Sequence, residues 1–100
     1  MRVEWSPLAL DRVSEIARYI AKDNPDAADR WVNELFESVA RLADFPESGR
    51  VVQEVGVRRI RELIFGAYRV IYGVKDKVEI LTVRRGSQLL QLSEIDDEQL

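Results

Sequence analysis

Residues 58–84, RRIRELIFGAYRVIYGVKDKVEILTVR, decide the fold. Three runs rich in β-branched and aromatic residues occupy positions 58–65, 68–74 and 77–84. The short breaks between them are Gly66-Ala67 and Lys75-Asp76. Such breaks are typical of tight hairpin turns, so the stretch predicts an antiparallel meander of three strands. In the middle run, alternation places Tyr68 and Tyr72 on one face and Arg69 on the other.

Upstream of this stretch the hydrophobic residues recur at three- and four-residue spacings, which is the pattern of amphipathic helices. Ser6-Pro7 and Asn24-Pro25 each supply a capping residue followed by proline at the first helical position. The sequence therefore predicts an antiparallel helical hairpin near residues 7–22 and 25–44. Residues 2–5 alternate like a short strand, and residues 51–57 are either loop or irregular strand.

These elements predict an α+β fold of order β-α-α-β-β-β: an N-terminal strand, then an antiparallel two-helix hairpin packed on an antiparallel β-sheet. The helices would cover one face of the sheet and leave the second face at least partly open. We expect Trp5, Trp31, Tyr68 and Tyr72 to pack in the core or between the hairpin and the sheet. The predicted organisation is a single domain at 1–92 followed by an acidic tail at 93–100.

The 100 residues contain no cysteine and no histidine, so disulfides, thiolate nucleophiles and a Ser-His-Asp triad are excluded. No apolar run approaches the length of a membrane span or a signal peptide. We therefore expect a cytoplasmic protein with no metal, no cofactor, no membrane contact and no small-molecule substrate.

Charge is unevenly distributed along the chain, whose net charge is −3. Residues 51–92 carry 8 Lys/Arg and 4 Asp/Glu, whereas residues 93–100 carry 4 acids and no base. A general nucleic-acid binder is usually basic overall. Any anion that this chain binds must therefore be met locally, by the basic segment. The acidic tail is either a solvated end or a segment that folds over the basic sheet.

The chain resembles the RelE/ParE superfamily of toxins from bacterial type II toxin–antitoxin modules, often called plasmid stabilisation proteins. The resemblance covers about residues 1–90. Its motifs are Trp5-Ser6-Pro7 with Asp11, Tyr19-Ile20, Asn24-Pro25 with Ala27-Ala28, Leu42 with Phe45-Pro46, Gly49-Arg50, Gly56-Val57-Arg58, Tyr68-Arg69-Val70-Ile71-Tyr72 with Val74, and Ile80-Leu81-Thr82-Val83-Arg84-Arg85-Gly86. The resemblance implies a toxin neutralised by a cognate antitoxin, whose segment would contact the helical hairpin or a sheet edge. RelE-like members cut mRNA in the ribosome, and ParE-like members poison DNA gyrase.

The resemblance places a catalytic arginine of the RelE-like members at Arg69 and a second one at Arg84 or Arg85. RNA cleavage also needs a group that takes the 2′-hydroxyl proton, and an arginine is effectively always protonated. The chain has no histidine and no tyrosine after Tyr72. The carboxylates left for that role are Glu54, Glu62 and Glu79.

We therefore predict a binding inhibitor of DNA gyrase, and keep a ribosome-dependent mRNA endonuclease as the alternative. The predicted target-binding residues are Arg69, Arg84, Arg85, Arg59 and Arg61. For Arg69, the structural alternative is an ion pair with Glu62 or Glu79 across the strands. Arg84 and Arg85 either bind carboxylates of the target or antitoxin, or are solvated.

Overall fold

The computed structural model describes residues 1–86 and 90–95. Five strands and two helices follow one another in the predicted order, with one short strand added. They are β1 (Val3–Trp5), α1 (Pro7–Ala21), α2 (Pro25–Ala40), β2 (Arg50–Val51), β3 (Ile60–Phe65), β4 (Tyr68–Val74) and β5 (Val78–Arg85). Two 3₁₀ turns, Arg41–Ala43 and Leu92–Glu94, complete them. The predicted α+β fold is confirmed. Within the described ranges, no helix is long and apolar enough to cross a membrane.

Both helices begin at the predicted caps. The Ser6 hydroxyl accepts a hydrogen bond from the Ala9 amide at 3.0 Å, and the Asn24 side chain accepts one from the Ala27 amide at 3.1 Å. Each cap satisfies one of the amides that the first helical turn leaves without a partner. The Ser6 hydroxyl also donates to the Leu81 carbonyl at 2.9 Å. The start of α1 is thereby fastened to β5.

The five strands form one sheet in the order β1-β5-β4-β3-β2. β5, β4, β3 and β2 pair antiparallel, whereas β1 pairs parallel with β5, Val3 opposite Val78. Gly66 opens the two-residue turn between β3 and β4 with a φ of 57°. A left-handed residue at this position suits the type II′ hairpin turn, in which glycine avoids steric strain.

The two helices cover one face of the sheet. Buried side chains of α1 and α2 meet those of β4 and β5 in one apolar cluster, made of Ala9, Val13, Leu35, Val39, Leu42, Val70, Tyr72, Val78, Ile80 and Val83. Aromatic rings line its margins: Trp5 lies 4.6 Å from Phe36 and Trp31 lies 5.3 Å from Tyr68, measured between ring centroids. Tyr72 lies in this cluster, and the partly buried Trp5, Trp31 and Tyr68 pack against it, as expected for these four residues.

Gly49 approaches β3 and β4 more closely than any other residue type could. A β-carbon there would lie 2.5 Å from both the Glu62 carbonyl oxygen and the Tyr72 hydroxyl. That hydroxyl is buried and accepts a hydrogen bond from the Gly49 amide at 2.9 Å. Burial raises the pKa of Tyr72, against the effect of this hydrogen bond, so the phenol stays protonated. The contact fixes the chain that leads from the helices into β2.

The second face of the sheet carries a smaller apolar cluster, made of Val52, Ile60, Ile71, Leu81, Leu90 and Ile95. Leu90 and Ile95 follow β5 in the sequence, so the described residues 90–95 pack on this face. Within the part of the chain that the structure describes, an open cleft of about 590 Å³ lies at the end of the sheet that carries Arg69. The described part of the predicted acidic tail is therefore packed against the protein.

A β-bulge in β5 changes which side chains share a face. Ile71 lies opposite Thr82, but the next residue, Tyr72, lies opposite Ile80, so Leu81 is the extra residue. Leu81 and Thr82 consequently both face away from the helices, and the alternation after them is reversed. Arg84 thereby comes to lie on the same face as Arg69.

Candidate target-binding site

Arg69 lies at the floor of the cleft and is 8% exposed. Its Nε and Nη2 atoms each lie 2.6 Å from Oε2 of Glu62 on β3. Its Nη1 and Nη2 atoms donate to the two carboxylate oxygens of Glu54, at 2.9 and 3.0 Å. All three guanidinium nitrogens therefore contact a carboxylate. One of the two carboxylates lies on the neighbouring strand, and the other lies on the loop after β2.

The Arg69 ion pairs extend outward to a fourth residue, because Arg50 donates from Nε to Oε1 of Glu62 at 2.5 Å. Glu62 is buried, whereas the Arg50 side chain is largely exposed at the rim of the cleft. The four residues alternate in charge and sum to zero. Through Glu54, Arg69 thus holds the loop of residues 52–57 against the sheet.

Hydrogen bonding fixes the charge states of Glu54 and Arg69. The bond from Arg69 lowers the pKa of Glu54 below its ordinary value, although partial burial opposes the shift. The same bond raises the pKa of Arg69, more than burial lowers it. Glu54 and Arg69 therefore stay ionised together around neutral pH. A carboxylate with a lowered pKa is a weak proton acceptor, which counts against Glu54 as a general base.

Arg84 lies directly opposite Arg69 on the adjacent strand, but it has its own partner. Its Nη1 atom donates to Oε2 of Glu94, which lies in the turn after β5. The other oxygen of Glu94 accepts from the Thr82 hydroxyl at 3.0 Å and lies 3.5 Å from Nη2 of Arg12. We call Arg12, Thr82 and Arg84 the carboxylate cradle.

The other predicted arginines are distributed over different regions. Arg85 lies opposite Tyr68, is exposed, and lines a groove beside α1. Arg61 lies opposite Tyr72, towards the other end of the strands, where its Nη1 donates to the Glu47 and Gly49 carbonyls at 3.2 and 2.8 Å. Arg59 is half-buried and precedes β3 at that same end. Arg69 and Arg84 thus lie side by side on one face of the sheet, whereas Arg85 lies on the helix-covered face at the same end. Arg59 and Arg61 lie at the other end of the strands.

Sequence reasoning did not assign a site role to Arg12, Arg50, Thr82 or Glu94. Glu62 was anticipated as a cross-strand partner of Arg69, while Glu79 lies opposite Gly73 and is not a partner. The only sequence signal for the Glu94 contact was the acidic tail next to a basic segment. In the described ranges, no three His, Cys, Asp or Glu side chains come together as metal ligands would.

A family model described as "ParE toxin of type II toxin-antitoxin system, parDE" matches residues 3–90. The chain belongs to the ParE toxin family. Similarity to a curated protein agrees with this assignment. The chain is 40% identical over 89 residues to "Putative toxin Y4kP" of Sinorhizobium fredii, covering 87% of this chain and 90% of that protein.

The ParE fold is also seen in a solved structure, "Chromosomal ParDE TA system from P. aeruginosa". The two structures superpose with a TM-score of 0.71 over 85% of this chain and 95% of the other, at 22% sequence identity. This likeness supports the architecture described above. The ParE match ends at residue 90, so Glu94 lies beyond it.

Proposed function

We propose that this ParE-family chain is a toxin that inhibits DNA gyrase by binding it, and that a cognate antitoxin neutralises it. The observation that carries the proposal is the set of ion pairs around Arg69 on the second sheet face. The arginine expected at a nuclease centre, Arg69, is buried between Glu54 and Glu62, and this arrangement offers a fixed charge rather than a proton acceptor. A cytoplasmic location follows from this function.

Exposed and half-buried arginines at the protein surface are the groups through which such an inhibitor would bind its target. Arg85 is exposed and lies beside Arg84 at the end of β5. Arg59 and Arg61, at the opposite end, would form a second area of contact. Arg69 would contribute indirectly, because its ion pairs hold the cleft in shape.

The antitoxin has a suitable docking place along the outer edge of β3. β2 pairs with Arg61 and Glu62, and the Val52 amide donates to the Ile60 carbonyl, so among the described residues only the Leu63–Phe65 part of this edge has no strand beside it. Two exposed apolar side chains, Phe45 (65% exposed) and Ile64 (50% exposed), line a groove next to it. An extended antitoxin segment could add a strand here and bury both side chains.

The target is tested by assaying the purified protein for inhibition of gyrase supercoiling and for ribosome-dependent mRNA cleavage in parallel. We expect inhibition of supercoiling and no cleavage. Arg85→Ala should weaken inhibition while leaving the melting temperature unchanged, and Arg30→Ala, an exposed position on α2, is the matched control. Cleavage of mRNA that Arg69→Ala abolishes in a folded protein would instead establish the nuclease alternative.

The antitoxin interface is tested by co-expression with the product of the adjacent open reading frame. We expect the two chains to co-purify, and Ile64→Arg to abolish co-purification. Asp76→Arg, in the exposed turn at the other end of β4, is the control and should have no effect. Failure of the wild-type chains to co-purify would contradict the pairing itself.

A further inference from the structure

The carboxylate of Glu94 is buried in the cradle, with its side chain 6% exposed. Burial alone would raise the pKa of Glu94, but the hydrogen bonds from Arg84, the Gln91 amide and Thr82 together lower it. The group is therefore held as an anion inside the protein. Two arginines and a hydroxyl thus surround this carboxylate, and charge-assisted contacts of this kind favour carboxylate binding.

Glu94 uses this site incompletely. It engages Nη1 of Arg84, while Nε of Arg84 is buried and has no hydrogen-bond acceptor among the described residues. A guanidinium binds a carboxylate best through two parallel hydrogen bonds. A buried donor without an acceptor is unfavourable, so an incoming carboxylate that also reached Nε would be bound better than Glu94 is.

The cradle adjoins the groove between α1 and the end of β5, which has a volume of about 280 Å³. Its apolar lining includes Ile16, Tyr19 and Tyr68, and its charged lining is Arg12, Glu15, Arg84 and Arg85. With Glu94 in place, three arginines face two carboxylates here. If Glu94 withdraws, the local charge rises from +1 to +2, which favours an acidic partner.

We propose that the cradle is a docking site for an acidic segment of a partner protein, and that Glu94 occupies it as an internal competitor. The proposal rests on the proposed function only in expecting a protein partner. Displacement would require the turn Leu92–Glu94 to lift from the sheet, releasing Leu90 and Ile95 from the apolar cluster. Glu94 would thus reduce the affinity of the resting protein for its partner.

The decisive experiment measures binding of a fluorescein-labelled hexaglutamate peptide by anisotropy, using the purified full-length chain. Glu94→Ala should increase the affinity roughly tenfold or more relative to wild type, because a charge-assisted competitor has been removed. Glu94→Gln, which keeps the side-chain volume and the bond to Thr82, should give a smaller increase. Glu37→Gln, on the exposed face of α2, is the control and should leave affinity unchanged.

Adding Arg84→Ala to Glu94→Ala should abolish the gain if the cradle is the binding site. A gain that survives this second change would place the peptide elsewhere and overturn the proposal. Inorganic phosphate is added as a competitor to the bound peptide. If phosphate displaces the peptide at a concentration equal to that of the peptide, the cradle is a general anion site, and the proposed preference for carboxylates is overturned.

Chemical modification provides an independent readout of whether Glu94 shields Arg84, and it is interpreted together with peptide binding. Phenylglyoxal reacts with accessible guanidinium groups, and mass spectrometry locates the product. We expect Arg84 to be protected in the wild type and reactive in Glu94→Ala, with exposed Arg30 reactive in both. Equal reactivity of Arg84 in the two proteins, or a reactive Arg84 without peptide binding, would contradict the proposal. Neither assay contains gyrase, so both remain valid if gyrase is not the target.

Discussion

On the helix-covered face of the sheet, Leu35, Tyr72 and Ile80 belong to one cluster of buried hydrophobic residues. On the opposite face, carboxylates and guanidinium groups are packed among apolar side chains. Among the described residues, the buried polar or charged ones are Glu62, Arg69, Thr82 and Glu94, and all four lie on that opposite face. The first face depends on non-directional burial. The second combines apolar burial with ion pairs, whose contribution to stability depends on pH.

The largest expected effect comes from the helix-covered face. Leu35 is fully buried between α2 and the sheet. Leu35→Ala should lower the free energy of unfolding by about 4 kcal/mol, because it loses apolar burial and leaves a cavity. Urea denaturation followed by circular dichroism measures this, with exposed Leu10→Ala as the control. A loss below about 1 kcal/mol would show that this face is not the stabilising core.

The second effect comes from the ionic face. Arg69→Met should lower the free energy of unfolding by about 3 kcal/mol, because Glu62 is left buried with only Arg50 as its partner. The double variant Arg69→Met/Glu62→Met should recover most of the loss, since no unpaired buried charge remains. If it recovers nothing, shape rather than charge accounts for the effect of the single change.

A smaller effect on stability is expected at the contact between Tyr72 and Gly49, which follows the helices in the chain. Tyr72→Phe removes the acceptor for the Gly49 amide. We expect a loss of about 1–2 kcal/mol in unfolding free energy, the cost of leaving a buried donor without a partner. Tyr19→Phe, an exposed tyrosine on α1, is the control in the same denaturation experiment. Equal stability of the two variants would mean that water replaces the lost acceptor.

The smallest expected effect is on how stability depends on acid pH, which concerns only the face that carries Glu54 and Glu94. The pKa values of Glu54 and Glu94 are lowered in the folded protein, from an ordinary value of 4.5. Their contribution to stability is therefore complete above pH 4.5 and is lost as the pH falls through their folded-state pKa values. Glu94→Gln should flatten this acid dependence measured by thermal melts between pH 3 and 7 (roughly the range over which carboxylates titrate). An unchanged slope would contradict the assignment of Glu94 to the buried ion pair.

The periodicity and caps were sufficient to predict the elements of the fold. Ser6-Pro7 and Asn24-Pro25 marked the helix starts because capping is local, and the three long strands followed from alternation. Local patterns could not specify that β1 pairs parallel with β5, because that pairing joins residues about 75 positions apart in the sequence.

The candidate site was predicted less well. Alternation counted from Ile80 assigns Arg84 to the helix side, and only the bulge at Leu81 places it on the face of Arg69. The Glu54 and Glu94 contacts join a loop and a C-terminal turn to the sheet. Such contacts depend on tertiary packing, so the acidic residues themselves gave no signal of which arginine each would bind.

The pairing of β1 with β5 also has a consequence for synthesis. The first strand of the chain stays without its neighbour until Val78–Ile80 have been translated. Translation at about 5–20 residues per second takes roughly 5–20 s for a chain of this size. A nascent chain lacks the finished sheet for most of that time and therefore lacks the paired ends of β4 and β5 that position Arg69 and Arg84. The newly made protein therefore acquires the arranged pair of Arg69 and Arg84 only when the last strand is complete.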